Sequence, residues 1–534
     1  MKGHRLIPWI ILAVGALVYC NSVSGVFLLD DRAVANLPRI LANEGLWKRL
    51  VTSARPLVAL SLALNGWVTG AGPWGYHAFN VGVHLLAALA LYGVVRRTLL
   101  LPYFHGRYEK KAFGLAIAIV LVWMVHPLQT ESVTYIVQRA ESMMGFFYLG
   151  SLYCLIRSVD SHAPGRWCKG SVSFCALGMA TKPVMVTAPL VLLVYDKVFL
   201  CASFREALRR RWAFYLGLAA TWGILVVLLC LPHESTMSTG FGMKDRTWLE
   251  YLATQPGVIL HYLRLCFWPG ALCLDYWWPI ASSLHDVRGV LAPGLLILAL
   301  LTATAWGLRY FPSFGFLGVW FFLILAPTSS LIPIEDAAFE HRMYIPLAAV
   351  VSATVMGFDA MLPRFLKGFL DERWRKGLAW MLLVLVVVML GYQTICRNED
   401  YGSEQRMWSK VVAQRPQNPR ANYALANILA QEGKTEEARS HFLRALQLEP
   451  RFAAAHYNLG VLFQKEGKNQ DAIFHYTETL RINHKDADAH NNLGLILLGQ
   501  GDGLQAVAHF REAIKIRPDH AQARINLLKI KSKD

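Results

Sequence analysis

The sequence predicts an all-α protein in two parts, a polytopic helical membrane domain of about 11 spans followed by an α-solenoid of repeated helix pairs. Three observations predict it. The 534 residues are 55% hydrophobic, with mean hydropathy +0.35 and 17 Trp, beyond what an ordinary soluble domain carries. Apolar runs long enough to cross a bilayer, or nearly so, recur through residues 1–396. From Asn418 the composition turns polar and a 34-residue period sets in. The expected organisation is therefore 1–396 membrane domain, 397–417 linker and 418–534 repeat domain.

The first span, 7–23, follows Lys2 and Arg5 in the manner of a secretory signal. Its weak cleavage site at Asn21-Ser22-Val23-Ser24 favours an uncleaved helix. Runs at 77–95, 112–125 and 143–156 come next. Those at 172–180 and 184–200 flank Thr181-Lys182-Pro183 and read as a tight pair. Runs at 213–231, 290–306, 314–331, 343–358 and 378–395 complete the set. Residues 251–268 are also apolar, but counting them inverts the later loops, so they read as an amphipathic or re-entrant piece at the outer surface.

Basic residues supply orientation. Arg96, Arg97, Arg107, Lys110 and Lys111 fill one connection, Arg205, Arg209, Arg210 and Arg211 another, and Arg364, Lys367, Arg373, Arg375 and Lys376 a third. The positive-inside rule places these, with the N-terminus, in the cytoplasm. The same clustering between spans explains the net charge of +17 without nucleic acid, which has no phosphate-reading face here. Against the rule, the first outer loop carries Arg32, Arg39, Lys48, Arg49 and Arg55, an excess that a cavity for an anionic ligand explains. The nine cysteines form no CxxC pair, which argues against a zinc site or a disulfide framework; Cys266 and Cys273 could pair only in an oxidising compartment.

In the repeat region Gly433, Gly467 and Gly501 lie 34 apart, as do Leu425, Leu459 and Leu493, and Ala438, Ala472 and Ala506. Pro416, Pro450 and Pro518 keep the same spacing, with His484 in the missing place. Small residues where two helices cross, and aromatic Phe442, Tyr476 and Phe510 filling the gaps, identify tetratricopeptide repeats. Three repeats and a final helix at 521–531 bury a continuous core and leave a concave groove of the kind that takes a peptide.

The outer loops hold the polar groups that carry chemistry. Asp30-Asp31-Arg32 follows the first span, and two adjacent carboxylates there need solvation or a cation. Arg55-Pro56-Leu57 comes next; His77, Asn80 and His84 share one face of the following span, looking into a cavity or satisfying one another. A second group is His126-Pro127, Thr130-Glu131 and Arg139-Ala140-Glu141, in which Glu131 and Arg139 could form a structural clamp or hold a donor. The third is Thr181-Lys182-Pro183, and the fourth Glu340-His341-Arg342 with Tyr344 and Pro346. Lys182, His341 and Arg342 would be drawn to a phosphate at the interface.

The strings DDRAVAN, RPL, HAFNVGVH, HPLQTESVTYIVQRAE, TKPVMVTAPLVLLVYD and EHRMYIP, in this order before the repeats, resemble the transmembrane and tetratricopeptide repeat-containing O-mannosyltransferase family of the GT-C glycosyltransferases. The resemblance runs over nearly the whole chain. It implies sugar transfer from a polyprenyl-phosphate carrier at the extracytoplasmic face, with no further organic cofactor and with the need for a divalent metal left open. It implies Asp30 or Asp31 as general base. It also implies a donor-phosphate and substrate set of Arg32, Arg55, His126, Glu131, Arg139, Glu141, Lys182, Glu340, His341 and Arg342, and no metal ligands among these residues. The family often has Lys-Glu where this chain has Lys182-Pro183, and Arg342 is displaced by one position.

That set suits the reaction. The leaving phosphate gathers negative charge that Lys or Arg stabilises, while the attacking hydroxyl gives its proton to a carboxylate. The expected partners are the lipid-linked sugar, an acceptor protein or peptide at the repeat groove, and membrane lipid. The expected location is a bacterial inner membrane with periplasmic repeats, or the endoplasmic reticulum with luminal ones. The alternatives are an envelope polysaccharide or lipid glycosyltransferase, polymerase or ligase, and a non-catalytic scaffold.

Overall fold

The computed structural model describes residues 6–37, 45–70, 72–231, 247–281, 283, 286–366, 369 and 371–531. Lys2, Arg5, Arg39 and Lys367 lie outside the described residues. Among the described residues the chain is helical without a β-strand, and it divides into two compact units, Met1–Ser403 and Glu404–Asp534.

The first unit is a multi-pass membrane domain. Its main helices are α1 (Ile7–Tyr19), α2 (Pro56–Thr69), α3 (Pro73–Leu99), α4 (Ala112–Met124), α5 (Arg139–Val159), α6 (Pro164–Met179) and α7 (Ala188–Tyr195). They continue with α8 (Trp212–Cys230), α9 (Trp248–Phe267), α10 (Ala292–Tyr310), α11 (Pro312–Leu325), α12 (Leu347–Phe365) and α13 (Glu372–Asp400). Each of the runs expected to span falls on one of these helices. By length and composition eight of the described helices are able to cross a membrane, or nine if α4 and the bent segment after it form one span. The difference from about 11 lies in α6 and α11, which at 16 and 14 residues are short of a bilayer's thickness.

Close approach between spans comes from small residues, since lipid offers no hydrophobic drive to pack one apolar helix on another. A Cβ on Gly315 would lie 2.2 Å from Leu308 N, so α10 and α11 meet backbone to backbone. A Cβ on Gly145 would meet the Tyr344 ring at 2.4 Å, which lets α5 close on the Glu340–Met343 turn. On the polar face of α3, Asn80 and His84 find partners inside the bundle, while both His77 ring nitrogens are buried without a hydrogen bond among the described residues. Asn80 Nδ2 donates to Val133 O (3.1 Å) and Ile136 O (3.3 Å), and His84 sits between Tyr344 Oη (2.9 Å) and Met124 O (3.0 Å).

The second unit stacks antiparallel pairs: α14 (Glu404–Gln414), α15 (Pro419–Gln431), α16 (Thr435–Leu448), α17 (Ala453–Lys465), α18 (Asn469–Ile482), α19 (Ala487–Gly499), α20 (Gly503–Ile516) and α21 (Ala521–Lys531). Ala438, Ala472 and Ala506 are fully buried at the crossings beside Phe442, Tyr476 and Phe510. Residues 397–417, expected as a linker, hold instead the last turn of α13 and the whole of α14, whose Met407, Trp408 and Val411 are buried. A terminal repeat needs an apolar helix over its open side, and α14 is that cover; being a single helix it carries no repeat period to announce it. Gly433, Gly467 and Gly501 end the first helix of each pair at φ +78°, +75° and +87°. Gly467→Ala is expected to cost about 1–2 kcal/mol for a side chain forced left-handed, read as a lowered Tm of the repeat unit.

Candidate active site

Three turns next to prolines put polar side chains at the ends of spans. Pro127 cannot continue α4, and the chain bends by 56° into the helix Thr130–Thr134. His126 caps this bend: its Nδ1 accepts from Leu128 N (3.2 Å), while Nε2 faces Cys266 O (3.1 Å) on α9. Pro183 likewise opens a 3₁₀ turn, Pro183–Thr187, directly after Lys182. Glu340–Met343 is a third such turn, leading through Pro346 into α12.

Folding brings these turns together around one buried network. Lys182 Nζ donates to Glu141 Oε1 at 2.5 Å. The same carboxylate oxygen lies 3.9 Å from His341 Nε2, and His341 Nδ1 pairs with Glu131 Oε1 at 2.7 Å. Glu131 Oε2 accepts the His341 backbone N–H at 2.9 Å. The ladder Glu131–His341–Glu141–Lys182 thus joins residues from four separate segments. Burial pulls the Lys182 ammonium below the usual lysine range, and Glu141 opposes the shift. Burial likewise lowers the His341 imidazole well below its ordinary value, reinforced by the Lys182 charge.

Glu340 points the other way. Its Oε1 accepts from Cys273 N (2.5 Å) and Tyr276 Oη (2.6 Å), while Oε2 faces Arg397 Nη2 at 3.8 Å. Burial raises the Glu340 carboxyl above the usual range against the pull of Arg397.

The paired aspartates separate. Asp31 is 1% exposed; its Oδ1 accepts from Val137 N (2.9 Å) and its Oδ2 from Leu28 N (3.3 Å) and Ile136 N (3.4 Å). Burial pushes it up to about 7 despite these bonds. Asp30 remains exposed, held by its backbone N–H on Tyr135 Oη at 3.3 Å. Leu57 N donates to Ala180 O at 3.2 Å, which docks the Arg55 segment on the Lys182 turn; Arg55 is within electrostatic reach of both Glu141 and Asp30. Arg32 is exposed next to the pair.

Two arginines expected to contact donor take other work. Arg139 does not clamp Glu131: it bonds Asn65 Oδ1 (3.1 Å) and Tyr76 O (3.1 Å) and stacks over Phe79 at 4.6 Å, tying α5 to α2 and α3. Arg342 donates to Ala337 O (2.7 Å), Asp336 O (2.7 Å) and Thr328 O (3.1 Å), bracing the loop between α11 and the third turn. Arg342→Lys is expected to destabilise by about 1–3 kcal/mol, since one ammonium cannot serve carbonyls spread along a planar fork; thermal unfolding in detergent reads it.

Tetratricopeptide repeat models match residues 426–467, 453–486 and 487–520. Over 83% of its length the chain is 26% identical to Protein O-mannosyl-transferase TMTC1 of Homo sapiens, 22% to F38B6.6 of Caenorhabditis elegans and 24% to TMTC3 of Mus musculus, all named as protein O-mannosyl-transferases. The chain is similar over most of its length to these transmembrane and tetratricopeptide proteins. It spans 55%, 63% and 51% of the length of those relatives.

Several site residues carry no signal in the sequence motifs. Arg397, 3% exposed at the end of α13, pairs with Asp400 (3.2 Å) and faces Glu340, though its position after the last apolar run marked it as linker. Asn398 on the same turn bonds Val18 O (3.2 Å) and accepts from Thr134 Oγ1 (2.9 Å). A buried Arg-Asn pair at a span's exit is the signal that was there to find. Helix α9, read as a surface piece, supplies Tyr262, whose Oη accepts from Phe339 N at 2.8 Å, and Tyr251, whose Oη donates to Thr328 O at 2.7 Å. Cys266 and Cys273 are not joined by a disulfide, and their thiols donate separately, to Tyr262 O and Asp275 O. Among the described residues no group of three or more His, Cys, Asp or Glu side chains is arranged to hold a metal.

Proposed function

We propose that this chain is a membrane glycosyltransferase that moves a hexose, mannose by family, from a polyprenyl-phosphate carrier to Ser or Thr hydroxyls of protein, at the extracytoplasmic face and with inversion. The observation that carries the reading is the meeting of Glu131, His341, Glu141 and Lys182 at the ends of apolar helices, with Arg55 in electrostatic reach of both Glu141 and Asp30.

Lys182 and Arg55 are the cations placed to stabilise the phosphate as the sugar leaves. Glu141 holds the Lys182 ammonium in position and limits the loss of its charge. Asp30 is the carboxylate of the pair that remains open to an acceptor, so it takes the proton as the hydroxyl attacks. Asp31, closed off by three N–H groups, fixes the backbone on which Asp30 stands. The Glu131–His341 pair sets the depth of the third turn, and His126, Arg139 and Arg342 frame the site without touching substrate. A single displacement inverts the anomeric centre, and no sugar-enzyme bond is formed.

The repeat groove is the proposed contact for the acceptor protein, and the membrane supplies the lipid-linked donor. By this reading the chain sits in a bacterial inner membrane with its N-terminus cytoplasmic and its repeats periplasmic. The test is transfer by the purified chain, in membranes, of labelled mannose from polyprenyl-phosphate mannose to hydroxyl-bearing peptides. Label recovered on peptide Ser or Thr supports the proposal; label recovered on glycan or lipid alone, or on nothing, refutes it.

A further inference from the structure

A cavity of about 120 Å³ lies between α3, α4, α5, α11 and α12, in a part of the membrane unit that the proposed transfer does not use. Its walls are apolar, with Leu91, Ile119, Leu152, Phe316 and Trp320 among them, and Thr98 and Tyr195 close one side with a 2.6 Å hydrogen bond between their hydroxyls. Phe314 is exposed, and Ser352 and Met356 are half-exposed, so the cavity opens between α11 and α12. It borders the C-terminal half of α3, whereas His77 and Asn80 hold the catalytic end of the same helix. Eighteen residues from 77 to 95 correspond to roughly 27 Å.

Cations gather at the Tyr108 end of the opening, where Tyr108 and Met356 pack against one apolar cluster. Tyr108 lines the cavity and Arg107 stacks on its ring at 5.3 Å; Arg96 lies 4.3 Å over Phe113. Lys110 and Lys111 complete the turn before α4. The acids of this region are matched or outnumbered: Asp160 pairs with Arg97 (2.9 Å), Asp359 with Lys111 (2.8 Å) and Glu372, in electrostatic reach of Lys111, with Lys376 (2.5 Å), leaving Glu109 against Arg96, Arg107 and Lys110. A dry apolar cavity of this scale takes an apolar group, and surplus cations at a membrane surface attract anionic headgroups.

We propose that this cavity is a binding site for an anionic phospholipid, one acyl chain lying between α11 and α12 and the phosphate meeting Arg96, Arg107 and Lys110. The site is independent of the transfer reading, and its test does not use transfer. The full-length chain, stripped of lipid in detergent, is offered phosphatidylglycerol or phosphatidylcholine with identical chains, and bound lipid is counted by native mass spectrometry. Phosphatidylglycerol is expected to be retained in preference, with each cation removed lowering its retention roughly fivefold. Ser352→Trp, which fills the opening, is expected to abolish the preference, and the exposed pair Arg107→Gln with Lys110→Gln to reduce it. If Ser352→Trp does not fold, the exposed pair decides alone. Equal retention of both lipids, retention indifferent to the folded variants, or displacement of phosphatidylglycerol by a polyprenyl phosphate, which would make this a seat for the donor's tail, each overturns the proposal.

Discussion

Asp30→Asn is expected to lower transfer by roughly 10²–10⁴-fold, the range a positioned general base supplies, while leaving the membrane unit folded. Its carboxylate is exposed and its backbone N–H, which a substitution at the side chain spares, is what anchors it to Tyr135. Asp31→Asn should behave in the opposite sense. Three backbone N–H groups converge on its two oxygens, and an amide must turn one NH₂ towards a donor. That costs about 1–3 kcal/mol and lowers Tm, with transfer per folded molecule reduced only as far as the Asp30 loop shifts. Measured together, turnover and unfolding separate the two aspartates. Wild-type turnover in Asp30→Asn would remove it as the base.

The largest loss of stability is expected at Lys182. Lys182→Met leaves Glu141, 3% exposed, without its cation in a low-dielectric setting, and breaking such a pair from one side costs about 3–5 kcal/mol. Adding Glu141→Gln removes the stranded charge, so the double variant should recover much of the lost Tm. It should not recover transfer, because the cation facing the phosphate is gone. That split between stability and turnover distinguishes a reaction role from a bracing one. If the double variant regained both, Lys182 would be structural, and stabilisation of the leaving group would rest on Arg55.

The helices and repeats were legible because their signals are local. An apolar run or a 34-residue period is set by neighbouring residues, as at 213–231 or at Gly433, Gly467 and Gly501. So were the motifs that supply the site, because a proline beside a polar residue marks a break in a span whether or not its partner is known. Helix α14 was not legible as part of the repeat unit, since a single helix shows no 34-residue repeat.

Which groups react was not a local property. Arg139 and Lys182 are equally basic, and Asp30 and Asp31 are neighbours in the chain. Their roles diverge because burial makes every polar group find a partner, and only the packing of α2, α3 and α5 determines that Arg139 finds Asn65 and Tyr76 O whereas Lys182 finds Glu141. Arg397 entered the site for the same reason, carried there by the end of α13. By itself the sequence determined the spans, the repeats and the inventory of charged residues. The tertiary structure alone decided which charges spend their hydrogen bonds on the frame and which stay open, because that depends on contacts between residues up to hundreds of positions apart.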